Sequence, residues 1–165
     1  ILARADLLME PVRVFANNRK GKTDVLVEVF IPQERFATFI PDAKKIFSNQ
    51  NTSLLNVTVR EINQDIETAL SYAKTKVFGL VMLFTIDQTK KAEKRLQSQI
   101  NELIKRTLLH GGTFYLPYRN YANSAQLTES YPELKNFLSY KKEWDPQEIF
   151  SSGFYRYIKR SIQVD

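Results

Sequence analysis

The chain has 165 residues, enough for one domain with a hydrophobic core and too few to expect two. It contains no cysteine and one histidine, which excludes disulfides and cysteine-based metal sites, and we expect no metal site of any kind. No apolar run approaches the roughly 18 residues of a transmembrane helix and no signal peptide is recognisable, so we expect a cytoplasmic protein without a membrane span.

The net charge of +6 is unevenly distributed. Residues 90–160 hold 13 basic and 7 acidic side chains, whereas residues 1–89 hold 11 and 10. Twelve of the 20 aromatic residues also lie between residues 110 and 160. Such a segment could meet a phosphate-bearing partner, but a solvated basic helix beside an aromatic core is the simpler explanation.

A strand and a helix come first in the predicted fold. Val25–Ile31 is rich in β-branched residues and stops at Pro32, as a strand would. Apolar residues then recur at helical spacing from Gln33 to Phe47. Pro41 interrupts this segment and predicts a kink or two short helices.

Two further strands are predicted after a loop at residues 48–52. Leu54–Ile62 alternates, with Leu55, Val57 and Val59 on one face and Asn56, Thr58 and Arg60 on the other. Residues 63–76 are ambiguous, because their helical spacing is short. Val77–Ile86 is apolar throughout and predicts a buried strand.

A long amphipathic helix is predicted next, with Asp87 as its N-cap and its end near Leu109. Gly111 stands where a glycine commonly ends a helix, and Thr113–Tyr118 reads as a strand. The order strand, helix, strand, strand, helix, strand predicts a ferredoxin-like α+β fold over about residues 24–118, with helices on one face of an antiparallel sheet. The other face then needs a cover, which could be solvent, a ligand or another domain.

The rest of the chain, residues 119–165, predicts a helical tail of the same single domain. Two helical pieces are expected between residues 120 and 145, divided at Pro132, which suits the first position of the second helix. Residues 149–158 form an aromatic-rich segment that is expected to pack against the rest of the protein. We expect four apolar residues to anchor the second helix: Leu134, Phe137, Leu138 and Trp144.

Groupings that carry chemistry are few. The sequence has no nucleophile-elbow motif, no P-loop and no dinucleotide-binding glycine motif. His110 is expected at a helix end, where an imidazole can interact with free carbonyls. Glu28 is the one acid in the first apolar strand and faces either a lined cavity or the solvated face of the sheet. Arg60 ends a polar stripe and reads first as an exposed arginine.

Residues 110–121, HGGTFYLPYRNY, form the most unusual segment. Gly111 and Gly112 permit a tight reversal and a close approach to the backbone. Tyr115 and Tyr118 are suited to lining a planar ligand, and Arg119 adds a fixed cation.

The run HGGTFYLPYRNYANSAQLTESYPELKNFLSYKKEWDPQEIFSSGFYRYI resembles the C-terminal end of FAD-linked oxidases of the vanillyl-alcohol-oxidase type. It is most similar to the branch of decaprenylphosphoryl-ribose, sugar-lactone and alditol oxidases. The upstream segments EVFIPQERF and SLLNVTVREI resemble strands of the same branch's cap domain. The shared features are Gly111-Gly112, Tyr131-Pro132, Lys141-Lys142, Asp145-Pro146 and Phe150-Ser151-Ser152.

The resemblance implies a substrate-binding cap domain of an FAD-dependent oxidoreductase that oxidises a hydroxyl group of a sugar- or polyol-like substrate. In that family FAD is held mainly by an N-terminal domain, which the tail would contact. The chain begins with isoleucine, which suggests a piece of a longer protein. The implied partners are therefore that domain and a small hydroxylated substrate, without nucleic acid, and the fragment alone is expected to be inactive.

Carried over residue by residue, the resemblance implies cofactor contacts from Tyr115, Tyr118 and Arg119. Tyr118 and Val59 occupy positions where decaprenylphosphoryl-ribose oxidases carry lysines, so that substrate is not implied. No catalytic residue is assigned. The implied substrate-binding residues are Glu28, Leu55, Val57, Val59, Arg60, Gly79 and Val81.

A different class of function is a stand-alone ferredoxin-like module that binds RNA or a small regulatory ligand. The basic second half of the chain favours it. Against it, no strand carries the aromatic signature of an RNA-recognition motif.

Overall fold

The computed structural model describes residues 20–48 and 54–162. Within them, four strands form one antiparallel sheet in the order β2-β3-β1-β4, which is the ferredoxin-like α+β arrangement predicted from the sequence. The strands are β1 (Lys22–Pro32), β2 (Leu54–Ile62), β3 (Val77–Asp87) and β4 (Thr113–Phe114).

Five α-helices and a short 3-10 helix (Gln33–Arg35) accompany the sheet in the described residues. None of these helices is both long and apolar enough to cross a membrane. The α-helices are α1 (Phe36–Ser48), α2 (Lys90–Leu109), α3 (Ser124–Ser130), α4 (Leu134–Trp144) and α5 (Gly153–Ser161).

The hydrophobic core lies between one sheet face and helices α1 and α2. Alternate residues of β1, from Val25 to Ile31, point into it and are almost fully buried. The apolar stripe of α2 meets them, while its lysines and Arg95 are exposed. Each fully buried leucine or isoleucine contributes roughly 1.5 to 3 kcal/mol, so this stripe fixes α2 on the sheet. The buried residues of the stripe are Leu96, Ile100, Leu103 and Ile104.

The tail packs onto the same core through α3, α4 and α5. Tyr131 is 1% exposed, and its hydroxyl donates a hydrogen bond to the carbonyl of Phe114 in β4. Leu134 and Leu138 are buried and Phe137 is half-buried, as predicted for the anchor of α4. Trp144 was expected to join them, and this prediction is wrong: it is the last residue of α4 and is 83% exposed.

Several predicted boundaries move for local reasons. Helix α1 continues through Pro41 as one element, after the separate 3-10 turn. Asp87 is the last residue of β3, and Thr89 caps α2 instead by accepting a hydrogen bond from the amide of Ala92 at 3.2 Å. Pro132 precedes the N-cap of α4, so it is not the first helical residue.

Two predicted segments differ in extent. The strand predicted to reach Tyr118 pairs only at Thr113–Phe114 and through one further bond, from the amide of Tyr115 to the carbonyl of Glu28 at 2.9 Å. Pro117 lacks the amide that a longer ladder would use. Of the predicted loop at 48–52, Ser48 ends α1 and residues 49–52 lie outside the described residues.

Candidate functional site

The sheet face turned away from α1 and α2 carries the candidate site. Residues paired directly across strands point to the same side of a sheet, so the register defines rows of side chains on this face. The central row is Glu28, Val81 and Thr58, and the next is Phe30, Gly79 and Arg60.

The chain itself covers one end of this face. The loop at residues 63–76, which the sequence left ambiguous, folds over it, and the ring of Tyr72 stacks on Phe30 with centroids 4.2 Å apart. The hydroxyl of Thr113 donates to the carbonyl of Tyr72 at 2.5 Å and ties the loop to β4. The sequence reasoning missed Tyr72; its signal was that it is the single aromatic residue between residues 63 and 76. A cover exists here, but only over part of the face.

Gly79 lies at the border of this covered end. A Cβ atom at this position would lie 2.8 Å from Cδ1 of Ile62 and 3.3 Å from the ring of Phe30. A larger residue here would require the end of the Ile62 side chain to move, so this packing favours glycine. Its substrate-binding role stays a prediction.

Glu28 is buried on this face without a hydrogen-bond partner. It is only 8% exposed, and within the described part of the chain no donor lies at hydrogen-bond distance from its carboxylate. Burial raises the pKa of the Glu28 carboxyl, and the positive charge of Arg60 partly opposes the shift. A largely buried acid with a raised pKa on an otherwise open face is a candidate for a functional site.

Two tyrosines stand beside Glu28. The rings of Tyr115 and Tyr118 meet edge to face with centroids 4.8 Å apart, and Tyr115 also packs edge-on against Phe30 and Tyr72. Burial raises the pKa of Tyr118, and the negative charge of Glu28 adds to the effect. The structure thus brings four of the predicted site residues together: Glu28, Arg60, Tyr115 and Tyr118.

Arg60 supplies a positive charge on the same face. Its side chain is exposed and forms no ion pair with the acids of the described residues. Its charge nevertheless influences both Glu28 and Tyr118. The guanidinium is thus available to an external anion.

Arg119 lines the small cavity beside Glu28, Tyr115 and Tyr118, but its guanidinium is engaged elsewhere. Its guanidinium pairs with the carboxylate of Glu93 in α2, and the hydroxyl of Tyr121 donates to the same carboxylate at 2.7 Å. Burial, followed by the bond to Glu93, raises the pKa of Tyr121 to about 12. Arg119 therefore holds the chain after β4 against α2, and its predicted contact with a cofactor stays a prediction.

Three predicted substrate-binding residues of β2 also lie apart from Glu28. Val57 and Val59 pair with Met82 and Leu80, which face the core, so they are on the opposite side of the sheet. They are 40% and 49% exposed because they lie on an edge strand. Leu55 lies at a β-bulge and is half-buried. Val57 and Val59 therefore do not lie beside Glu28, and the substrate-binding role of all three residues stays a prediction.

His110 has side-chain partners that the sequence did not predict. It ends α2, and its Nε2 lies 3.2 Å from Oδ2 of Asp42 while its Nδ1 lies 3.4 Å from the hydroxyl of Thr38. Its ring also packs edge-on against Phe39. His110 therefore links α1 to α2 and is remote from the open face.

Fold and site together define a ferredoxin-like domain with an acid, an arginine and two tyrosines on its free sheet face. A scan against models of known protein families finds no match, and a search among curated proteins finds none either.

Proposed function

We propose that this chain is the substrate-binding cap domain of an FAD-dependent oxidoreductase that oxidises a hydroxyl group of a sugar- or polyol-like substrate. The observation that carries the proposal is Glu28, which is buried on the free sheet face beside Tyr118, has no hydrogen-bond partner among the described residues, and shares that face with Arg60. The resemblance of residues 110–158 to the end of such oxidases supports the same assignment.

The donor set suits recognition of a hydroxylated compound. An ionised carboxylate only accepts hydrogen bonds, so Glu28 can receive the hydroxyl hydrogens of a polyol. Tyr118 can donate its phenol hydrogen to the substrate or to the edge of a flavin, because in the described residues its hydroxyl has no hydrogen-bond partner. These groups would orient a hydroxyl-bearing carbon, while a bound flavin supplies the hydride acceptor.

The described residues fit the ring of a flavin better than its diphosphate. Tyr115 and Tyr118 offer aromatic surface and a phenol donor on the free face. Gly112, the glycine nearest to Tyr115 in the described chain, is already packed against Phe30 and Thr107. The proposal therefore requires a separate domain to hold the dinucleotide.

Exposed apolar side chains offer a surface for that domain. Three apolar side chains are each more than 70% exposed: Trp144, Ile149 and Phe150. The carboxylate of Asp145, the residue after Trp144, accepts hydrogen bonds from the amides of Ile149 and Phe150 at 2.9 Å and so holds these two residues near it. Large exposed apolar groups that lie close together are typical of interaction surfaces.

Expression of the whole gene product tests the proposal. It should contain an N-terminal flavin-binding domain, purify with bound FAD, and become bleached when a polyol is added without oxygen. The 165-residue chain alone should bind FAD negligibly in isothermal titration. A whole product without flavin, or a micromolar dissociation constant for FAD on this chain alone, would contradict the assignment.

Variants of the holoenzyme test the role of the tyrosine. Tyr118→Phe should lower the flavin midpoint potential and weaken sulfite binding, because a phenol donor near the flavin pyrimidine stabilises the reduced, anionic ring. Arg119→Met serves as the comparison, since Arg119 is engaged with Glu93. An unchanged potential in both variants would remove this segment from the cofactor site.

The basic face of α2 favours a second candidate, a stand-alone module for RNA or a small regulatory ligand. Lys90, Lys91, Lys94 and Arg95 are all exposed. Binding of single-stranded RNA whose affinity falls steeply with salt would favour it over the cap domain.

A further inference from the structure

Glu28 and Arg60 stand apart on the same sheet face. They belong to neighbouring rows, on β1 and β2, with β3 between them. Strand spacing of about 4.8 Å and a rise of about 3.3 Å per residue place their Cα atoms about 12 Å apart. Because both side chains are long and the two groups form no ion pair, a gap remains between carboxylate and guanidinium.

Val81, which pairs with Glu28, forms an apolar, half-buried floor for this gap. At the Arg60 end, the side chains of Ile62 and Phe30 fill the space over Gly79. Tyr118 borders the gap at the Glu28 end. The two ends have opposite chemistry, since one only accepts hydrogen bonds and the other only donates them.

We propose that Glu28 and Arg60 bind the two ends of one small anionic polyol. Hydroxyl groups of the ligand donate to the Glu28 carboxylate, and a carboxylate or phosphate group of the ligand pairs with the Arg60 guanidinium. The reverse orientation would place two anions together and is disfavoured. That this ligand is the substrate rests on the proposed function, whereas its binding to the chain does not.

The charge pattern sets the specificity of the site. A neutral polyol would satisfy Glu28 but leave Arg60 unpaired, and a simple anion would do the opposite. Arginine pairs with carboxylate and phosphate through parallel hydrogen bonds, so both anions suit it. An anionic polyol should therefore bind more tightly than either part alone.

A single water molecule is the competing occupant of the acid end. A cavity of about 20 Å³ lies beside Glu28, between Tyr115, Tyr118 and α2. That volume is enough for one water, which could hydrogen-bond to the carboxylate. If water occupies the acid end, Arg60 would bind anions with no preference for those that carry hydroxyl groups.

Amide NMR titration of the 165-residue chain tests the site without a flavin. Four probes form two matched pairs, gluconate with sorbitol and glycerophosphate with glycerol, each added to roughly 10 mM. We expect gluconate or glycerophosphate to shift the amides around Gly79 and Val81 saturably, at least about tenfold more tightly than its neutral counterpart. The anion that binds more tightly identifies the source of the negative group.

Two variants separate the ends of the site. Arg60→Gln should remove the preference for the anionic probes, while Arg95→Gln, which removes an exposed arginine on the other side of the sheet, should leave it unchanged. Glu28→Gln should weaken both anionic and neutral polyols, with Glu129→Gln on α3 as its control. Unchanged spectra in the parts of the fold distant from the site verify that each variant is folded.

Each outcome is decisive. No saturable shift with any probe, equal affinity for charged and neutral polyols, or shifts that survive both Arg60→Gln and Glu28→Gln would overturn the proposal and leave water as the partner of Glu28. Gluconate binding by a chain whose whole gene product lacks flavin would retain this site and reject the oxidoreductase. A whole gene product that binds flavin, with a cap domain that binds none of the four probes, would retain the oxidoreductase and reject this site.

Discussion

Adjacent glycines at residues 111 and 112 should differ sharply in their tolerance of alanine. Gly111 has a φ of 71°, and a Cβ atom there would meet only Pro32, at 3.9 Å. The left-handed backbone costs alanine about 1 to 2 kcal/mol, offset by about 0.4 to 1 kcal/mol from the less flexible unfolded chain. Gly111→Ala should therefore destabilise the fold by about 1 kcal/mol.

Gly112→Ala meets a different obstacle. Its Cβ would lie 2.3 Å from the carbonyl oxygen of Phe30 and 3.0 Å from that of Thr107, and both are backbone atoms. Relief requires β4 to move away from β1, to which it is bonded at Thr113 and Phe114. Loss of about two backbone hydrogen bonds at about 1 kcal/mol each, with overpacking of about 1 to 3 kcal/mol, predicts a cost of about 3 to 5 kcal/mol.

Urea unfolding followed by far-ultraviolet circular dichroism measures both variants. Tryptophan fluorescence is a poor reporter, because Trp144 is already 83% exposed in the fold. Gly153→Ala is the control, since a Cβ atom there would meet nothing within 4 Å, so only the gain of about 0.4 to 1 kcal/mol from the less flexible unfolded chain is expected. If Gly112→Ala costs no more than Gly111→Ala, the close approach of β4 to β1 is not the reason for the second glycine.

Four further substitutions test the tail and the α1–α2 contact. Leu138→Ala should lower the free energy of unfolding in urea by about 2 to 5 kcal/mol, because Leu138 is 6% exposed. Trp144→Ala, at an exposed position, should change it by less than about 0.5 kcal/mol. Equal effects of the two substitutions would mean that α4 is not docked on the core. Tyr131→Phe should cost about 1 to 3 kcal/mol, because it leaves a buried β4 carbonyl without its donor, and a neutral result would rule out that bond. The hydrogen bond from His110 lowers the pKa of Asp42, so the stability that this pair adds is present above the unfolded pKa near 3.8 and is lost as pH falls through the lower folded value. Asp42→Asn should therefore reduce the urea midpoint near neutral pH and converge with the wild type in acid; a gap that persists in acid would exclude the ionic origin.

The sequence by itself determined the order of elements and hence the ferredoxin-like fold. Alternation in Leu54–Ile62 and the apolar stripe of α2 record which residues share a face, and that information is local. The buried stripe of α4 was also readable, because Leu134 and Leu138 lie one helical turn apart. Gly111 marked the end of α2 for an equally local reason, its left-handed backbone.

Only the tertiary structure decided what covers each face. Alternation placed Glu28 opposite Val27 and Val29, but its burial depends on Tyr115 and Tyr118, which arrive from more than 80 residues later in the chain. Val57 and Val59 looked like pocket residues, yet they face the helix side at an uncovered sheet edge. Burial and pairing arise from contacts between distant segments, and a local period carries no information about those contacts.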